Sequence, residues 1–304
     1  MALSIRTLLS AAALAACAVA PTAQAAIAYT LASGGNALIR FDTATPGAVT
    51  TIGLISGATT NLDGLDFRPA NGLLYGYSDQ TDSVFTVDTS TGVATLISVI
   101  TAPTSTSLLG IDFNPVADRL RIVNLDDQNL RVNVTGGATT VDGALAYAAG
   151  DVNAGANPNI IDAAYTNSDT NPATGTTLFY LDYVLNTLVS TSNPNAGILN
   201  TIGALGVDFN NVVGFDILTD LGVNSAFATL RVLGSNGLYS INLTTGAATL
   251  IGPVGDSSSL WGLAIVPGTA VPGTVPEPGS LALLGIAGLA ALGMRRRAPK
   301  PALG

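Results

Sequence analysis

The sequence predicts an all-β chain folded as a five-bladed β-propeller, in which one C-terminal strand joins three N-terminal strands in a closing sheet. Three observations predict it. A short phrase recurs as Gly64-Leu65-Asp66-Phe67, Gly110-Ile111-Asp112-Phe113 and Gly214-Phe215-Asp216-Ile217, with weaker copies at Ile161-Asp162-Ala163-Ala164 and Gly262-Leu263-Ala264-Ile265. Counted at the aspartate position of each copy (66, 112, 162, 216 and, as alanine, 264), the steps are 46, 50, 54 and 48 residues, close to the period of propeller blades, about 40–50 residues. Finally, the last copy has no hairpin behind it, while the chain begins its body with three strands that no phrase precedes. An open β-sandwich is the alternative architecture for the same strands.

Met1 to Ala25 reads as a secretory leader, with Arg6 at the positive start, an apolar stretch from Leu8 to Ala20, and a small-x-small cleavage site at Ala23-Gln24-Ala25. A competing reading is the lipoprotein box Leu14-Ala15-Ala16-Cys17, which would place a lipid on Cys17. The propeller domain is assigned to residues 26–267. It opens with strands at Ile27–Leu31 and Ala37–Phe41, then a turn and Val49–Ile52. The clearest hairpin runs Val84–Asp88, Thr89–Gly92, Val93–Ile97, and Leu238–Ile251 repeats it almost residue for residue. Gly92 and Gly246 stand where the turn needs positive φ, and Asp88 and Asn242 where a side chain can bond the turn backbone. Looser hairpins are expected at Leu130–Val141 and Leu178–Ile202. A second strand lies between phrase and hairpin, at Leu73–Tyr77, Arg119–Val123 and Ala228–Val232. Each unit therefore has four strands, and the split fifth unit removes the open edges of an antiparallel array.

Residues 268–274 form a Pro/Gly/Thr linker. The tail, 275–304, has three parts: Val275-Pro276-Glu277-Pro278, an apolar helix at 281–294, and Arg295-Arg296-Arg297. A helix of 14 residues is about 21 Å long, short of a comfortable hydrocarbon span unless Gly279, Ser280 and the snorkelling arginines extend it, and the arginines would hold its end in the cytoplasm. This arrangement resembles the PEP-CTERM sorting signal of exopolysaccharide-producing Gram-negative bacteria. The resemblance implies a temporary membrane anchor whose Pro-Glu-Pro element is recognised and cut by an exosortase-type protease, leaving the protein in the cell envelope, on the surface or outside the cell. A permanent single-span anchor is the alternative. The body, with its Gly-x-Asp-Phe starts, Arg68-Pro69 and Asn114-Pro115 continuations and Thr-Gly hairpins, is similar to an uncharacterised bacterial propeller-like family carried as a domain of unknown function. That resemblance implies a fold and no activity.

Composition narrows the chemistry. Between Ala26 and Pro267 there are 19 Asp and six Arg, with no Glu, Lys, His or Cys. Such an acidic body repels phosphate backbones, so nucleic acid is not an expected partner. Thiolate, triad and histidine-ligated zinc chemistry have no residues to work with. The expectation is a non-enzymatic binding or structural module, with extracellular polysaccharide as a candidate partner. The enzymatic alternative is a glycan hydrolase using the repeated Asp66, Asp112, Asp162 and Asp216, since innermost strands line a propeller's channel and two carboxylates suffice. The plainer account of these aspartates is a repeated hydrogen bond from the first strand to a loop. No cofactor is implied. Ca²⁺ is the one metal that the residue types allow, at Asn167, Asp169 and Asn171 or at Asp126 and Asp127, although neither stretch has the glycine and closing Glu of an EF-hand. A calcium-stabilised carbohydrate-binding surface is thus a further alternative, with Tyr29, Tyr75, Tyr77, Tyr147, Tyr165, Tyr180, Tyr183, Tyr239 and Trp261 as stacking candidates.

Overall fold

A computed structural model describes residues 25–268, apart from 170, 172, 173, 192, 211 and 212. The leader, with Cys17 and the Ala23 side of its cleavage site, and the tail with its Pro-Glu-Pro element, helix and arginines lie outside the described residues, as does most of the linker. Twenty-one strands form five sheets around a common centre. The first blade is β4 (Gly64–Phe67), β5 (Leu74–Ser78), β6 (Ser83–Val87) and β7 (Ala94–Val99). The second is β8 (Leu109–Asn114), β9 (Arg119–Asn124), β10 (Asn129–Asn133) and β11 (Ala138–Val141). The third holds β13 (Ile160–Tyr165), β14 (Leu178–Asp182), β15 (Thr187–Thr191) and β16 (Ile198–Ala204). The fourth has β17 (Val213–Asp220), β18 (Val223–Val232), β19 (Ser235–Ile241) and β20 (Ala248–Pro253).

The fifth blade closes the ring as the sequence predicts. Its order is β21-β1-β2-β3, where β1 is Ile27–Ala32, β2 Ala37–Asp42, β3 Thr45–Leu54 and β21 Trp261–Ile265. Strand β21 pairs antiparallel with β1, setting Ala28 opposite Ile265 and Leu31 opposite Trp261. The Thr30 hydroxyl adds a bond to the Gly262 carbonyl at 2.6 Å. Two chain extremities thus share one ladder.

Stability comes from five apolar layers, one at each blade interface. Phe179 and Leu181 of the third blade meet Phe215 and Ile217 of the fourth, for example, while Tyr29 and Leu31 of the fifth meet Leu65 and Phe67 of the first. Side chains alternate along a strand, so successive residues of an inner strand reach opposite neighbours. Both faces are covered, which is why β4, β5 and β13 are buried at every position while the rim strand β7 is mostly open. The buried tyrosines belong to these layers: Tyr29, Tyr75, Tyr77, Tyr147, Tyr165, Tyr180 and Tyr239 are all sunk in them, leaving Tyr183 and Trp261 as the half-covered aromatics of that set. Arg121 is the largest fully buried side chain. It bonds Asp142 at 2.6 Å, Asn129 at 2.7 Å and, from the third blade's side, Asn195 at 3.0 Å. Burial pushes the Asp142 carboxyl up, but Arg131 and Arg121 together hold it below the usual carboxylate range.

The predicted hairpin turns form as read. Asp88 Oδ1 accepts from Ser90 and Thr91 N–H, Asn242 Oδ1 does the same for Thr244 and Thr245, and Gly92 and Gly246 sit at φ 78° and 82°. The third blade departs from the reading. Leu178–Asp182 is its second strand, and the outer hairpin is Thr187–Ala204, so Leu178–Ile202 is two connections rather than one. The first is a tight turn in which Asp182 Oδ1 accepts from Val184 and Leu185 N–H and Asn186 takes positive φ. The second contains a 3-10 turn, Pro194–Ala196, ended by left-handed Gly197. A short strand, β12 (Ala146–Tyr147), also pairs in parallel with β16 and covers that blade's edge.

In the fourth blade two tight turns place leucine in the left-handed region, Leu221 at φ 47° and Leu233 at φ 49°, each followed by a glycine. Leu233 is fully exposed, so no packing offsets a strain of about 1–2 kcal/mol. Leu233→Asn, the residue that such turns favour, is expected to raise stability by about 1 kcal/mol in urea unfolding. No gain would mean that the turn relaxes in solution.

Candidate functional site

The phrases of the repeat place four glycines and four aspartates on innermost strands, and the channel explains both. Innermost strands of adjacent blades come so close that a side chain at the first position has no room. A Cβ on Gly110 would run into the backbone of Asp162, and one on Gly214 into that of Gly262. At Gly262 itself the backbone takes φ +64°, and a Cβ would stand 3.0 Å from Leu65 N. The copy without the glycine accommodates its bulk differently, with a register shift between Ile160 and Asp162.

The aspartates answer a second need. The channel edge of an innermost strand has no partner strand, so its N–H groups need acceptors. Asp66 accepts from Phe113 N–H at 2.7 Å, Asp112 from Tyr165 at 3.1 Å, Asp162 from Phe215 at 2.7 Å and Asp216 from Ile265 at 2.6 Å. Every one of these bonds runs from one blade to the first strand of the next, not to a loop. The second oxygens of Asp162 and Asp216 take the N–H of Ala163 and Ile217. At the fifth junction Ala264 holds the position and offers no carboxylate.

Four buried acids around one axis cannot all ionise. Burial drives Asp66, Asp112 and Asp162 well above the carboxylate range, and the charges of their neighbours add to it. Burial also takes Asp216 up to about 7. Carboxylate oxygens of Asp66, Asp112 and Asp216 lie within 4.8 Å of one another. That oxygen-only set suits a hard cation in kind, but Ca²⁺ asks for about six to eight ligands, and oxygens here already serve backbone N–H groups.

The predicted metal-loop residues are placed apart. Asp126 and Asp127 follow β9 on the face where the innermost strands begin; Asn167, Asp169 and Asn171 follow β13 on the opposite face. Asn167 donates to the Thr174 and Gly175 carbonyls, and Asp169 Oδ1 accepts from Asn171 N–H, so both stiffen their own loop. Asp127 sits at φ 57° with Oδ1 buried and unpartnered among the described residues, and burial raises its pKa.

A second feature, missed in the sequence, crowns the channel. Residues at or just ahead of the first positions of the innermost strands meet at the mouth: Asp63, Leu109, Ile161, Val213 and Trp261, one per blade, with Leu108 beside them. They enclose a space of only about 10 Å³, at the lower limit of what a single water needs, about 10–15 Å³. Above the plug, Asp63 and Trp261 open onto a cavity of about 580 Å³, bounded also by Asp79, Gln80, Leu108 and Leu125. Asp79 N–H donates to Asp63 Oδ2 at 2.9 Å. Burial, with the adjacent Asp79 charge, raises Asp63 to about 7, and Asp79 is raised by burial as well. The indole N–H of Trp261 has no partner among the described residues. The signal that could have found this site is the residue before each phrase glycine: leucine at 109 and valine at 213, but aspartate at 63 and tryptophan at 261.

Comparison with known proteins gives a family and no activity. No curated protein matches. Among solved structures, the chain is similar to one titled as a nidogen/laminin complex, at 12% identity and TM-score 0.48, covering 79% of this chain and 98% of that one. It is also similar to a structural-genomics protein of unknown function from Bacteroides thetaiotaomicron VPI-5482, at 13% identity and TM-score 0.46, covering 81% and 68%. A family model described as a domain of unknown function, DUF4394, matches residues 37–264, and the PEP-CTERM protein-sorting motif matches residues 274–297. The motif implies export to the envelope or surface with exosortase-type processing, and the chain belongs to the DUF4394 family, a five-bladed propeller with that sorting motif behind it.

Proposed function

We propose that this protein is an exported, non-enzymatic binding module of the cell envelope or extracellular matrix, and that its working surface is the channel mouth. The observation that carries the reading is the broken repeat: three of the five mouth positions are aliphatic and plug the channel, while the adjacent Asp63 and Trp261 line an open cavity. Two features weigh against channel hydrolysis. The carboxylates are each committed to an inter-blade bond, and all four are buried, none more than 6% exposed. Extracellular polysaccharide is the partner that fits the location, and removal of the tail by the sorting protease would set the propeller free of the membrane.

A reducing-sugar assay on the full-length protein against soluble polysaccharides tests the non-enzymatic part. No release above a heat-killed control is expected, for wild type, Asp66→Asn or Asp112→Asn alike. Turnover that disappears in either variant would make the ring a catalytic centre and overturn the reading.

A further inference from the structure

We infer that the cavity at the channel mouth binds a neutral pyranose ring, stacked against Trp261 and hydrogen-bonded by Asp63, Asp79 and Gln80. The inference rests on the mouth being the working surface and names its ligand class. Size comes first: about 580 Å³ falls inside the range of small-ligand sites, about 300–1,000 Å³. It suits one or two sugar units, not a protein segment.

The lining supplies the chemistry. Trp261, Leu108 and Leu125 contribute apolar surface to the lining, whereas Asp63, Asp79 and Gln80 contribute carboxyl and amide groups, with the hydroxyl residues Thr106 and Ser107 beside them. A pyranose has the same division, with C–H groups on its faces and hydroxyls around its rim. Indole rings carry large rigid apolar faces at little entropic cost.

Charge excludes the competitors. No Lys or Arg lines the cavity, so phosphate or uronate groups would meet acids and nothing to balance them. Burial disfavours ionising both acids at once, with Asp63 raised to about 7 and Asp79 raised as well, so at pH 7 a cation meets a pair that is ionised only in part. One protonated and one ionised carboxyl offer both a donor and acceptors, which is what a hydroxyl needs.

Repetition adds an independent point. Closing the channel requires only the aliphatic residues used at 109, 161 and 213. Tryptophan at 261 exceeds that need, is half-buried and is the chain's single tryptophan.

That last fact makes the test specific, because intrinsic tryptophan fluorescence reports the mouth alone. The full-length chain, held in a sugar-free detergent at pH 7, is titrated with glucose, galactose, N-acetylglucosamine and cellobiose, and in parallel with glucuronate and choline. The expected result is a saturable emission change with at least one neutral sugar in the millimolar range and none with glucuronate. By calorimetry, Trp261→Leu should weaken that sugar about tenfold. Gln80→Ala, on an exposed loop, should weaken it about threefold with an unchanged melting curve. A response to choline alone overturns the sugar assignment but leaves the mouth as the working surface. Sugar binding that persists unchanged in Trp261→Leu and Gln80→Ala overturns both. Cleavage of a bound sugar would uphold the ligand class and sink the non-enzymatic reading. Silence to every probe overturns the assignment.

Discussion

Replacing Gly110 by alanine is expected to cost at least about 3 kcal/mol, the upper range for an overpacked core, and to leave little folded protein at 37 °C. One added methyl group would occupy the space of the Asp162 backbone on the next blade. Two innermost strands form that contact, and each is fixed by its own sheet and by the closed ring, so neither can step aside. Gly214→Ala, facing the Gly262 backbone, should behave alike. Gly150→Ala, where a Cβ meets nothing within 4 Å, is the control and should stay within about 0.5 kcal/mol of wild type. Urea unfolding of the three variants checks the set. A Gly110→Ala protein as stable as the control would mean that the channel is wider than described.

The second large effect is on pH. A carboxyl whose folded pKa lies above its unfolded value near 3.8 keeps a proton that the unfolded chain gives up, so stability falls as pH rises between the two values. For Asp216, with a folded value of about 7, the loss runs from about pH 4 to pH 7 and is on the order of 4 kcal/mol. Asp66, Asp112 and Asp162 shift in the same direction, so the protein should melt at a higher temperature at pH 5 than at pH 8. Asp216→Asn keeps an acceptor for the Ile265 N–H without the charge, and its amide can donate toward the nearby acids. That amide also faces the Ile217 N–H, which loses its acceptor, so the variant should fall about 1 kcal/mol below wild type at pH 5 and exceed it at pH 8. Asp216→Ala leaves the Ile265 and Ile217 N–H groups buried without an acceptor and should lose about 1–3 kcal/mol at pH 5, a loss that the removed cost of ionisation offsets at pH 8. If Asn and Ala fall equally at both pH values, a charged carboxylate is what the ring needs, and the protonated account fails.

Much of the fold was legible because the channel asks for the same residues in most of the blades. Glycine at the first position answers close approach, aspartate at the third answers an unpaired N–H, and the Thr-Gly turn answers positive φ. Repetition at about fifty residues then exposes all three. What stayed hidden was non-repeated. The turn after Asp182 uses Asn186 in place of glycine, so two connections of the third blade read as one. Arg121 joins residues up to 74 positions away, a pairing that no local pattern carries. Asp63 and Asp79 look like two more turn acids until the closing strand brings Trp261 beside them.

The account depends on protonated channel carboxyls tying blade to blade at four of the five junctions. Carbon-13 NMR of the aspartate side-chain carboxyls across pH 4 to 9 observes them directly. The Asp216 signal should titrate near pH 7, with Asp66, Asp112 and Asp162 also displaced upward. Midpoints near 4 for all four would describe solvated acids in an open, wet channel and would contradict it.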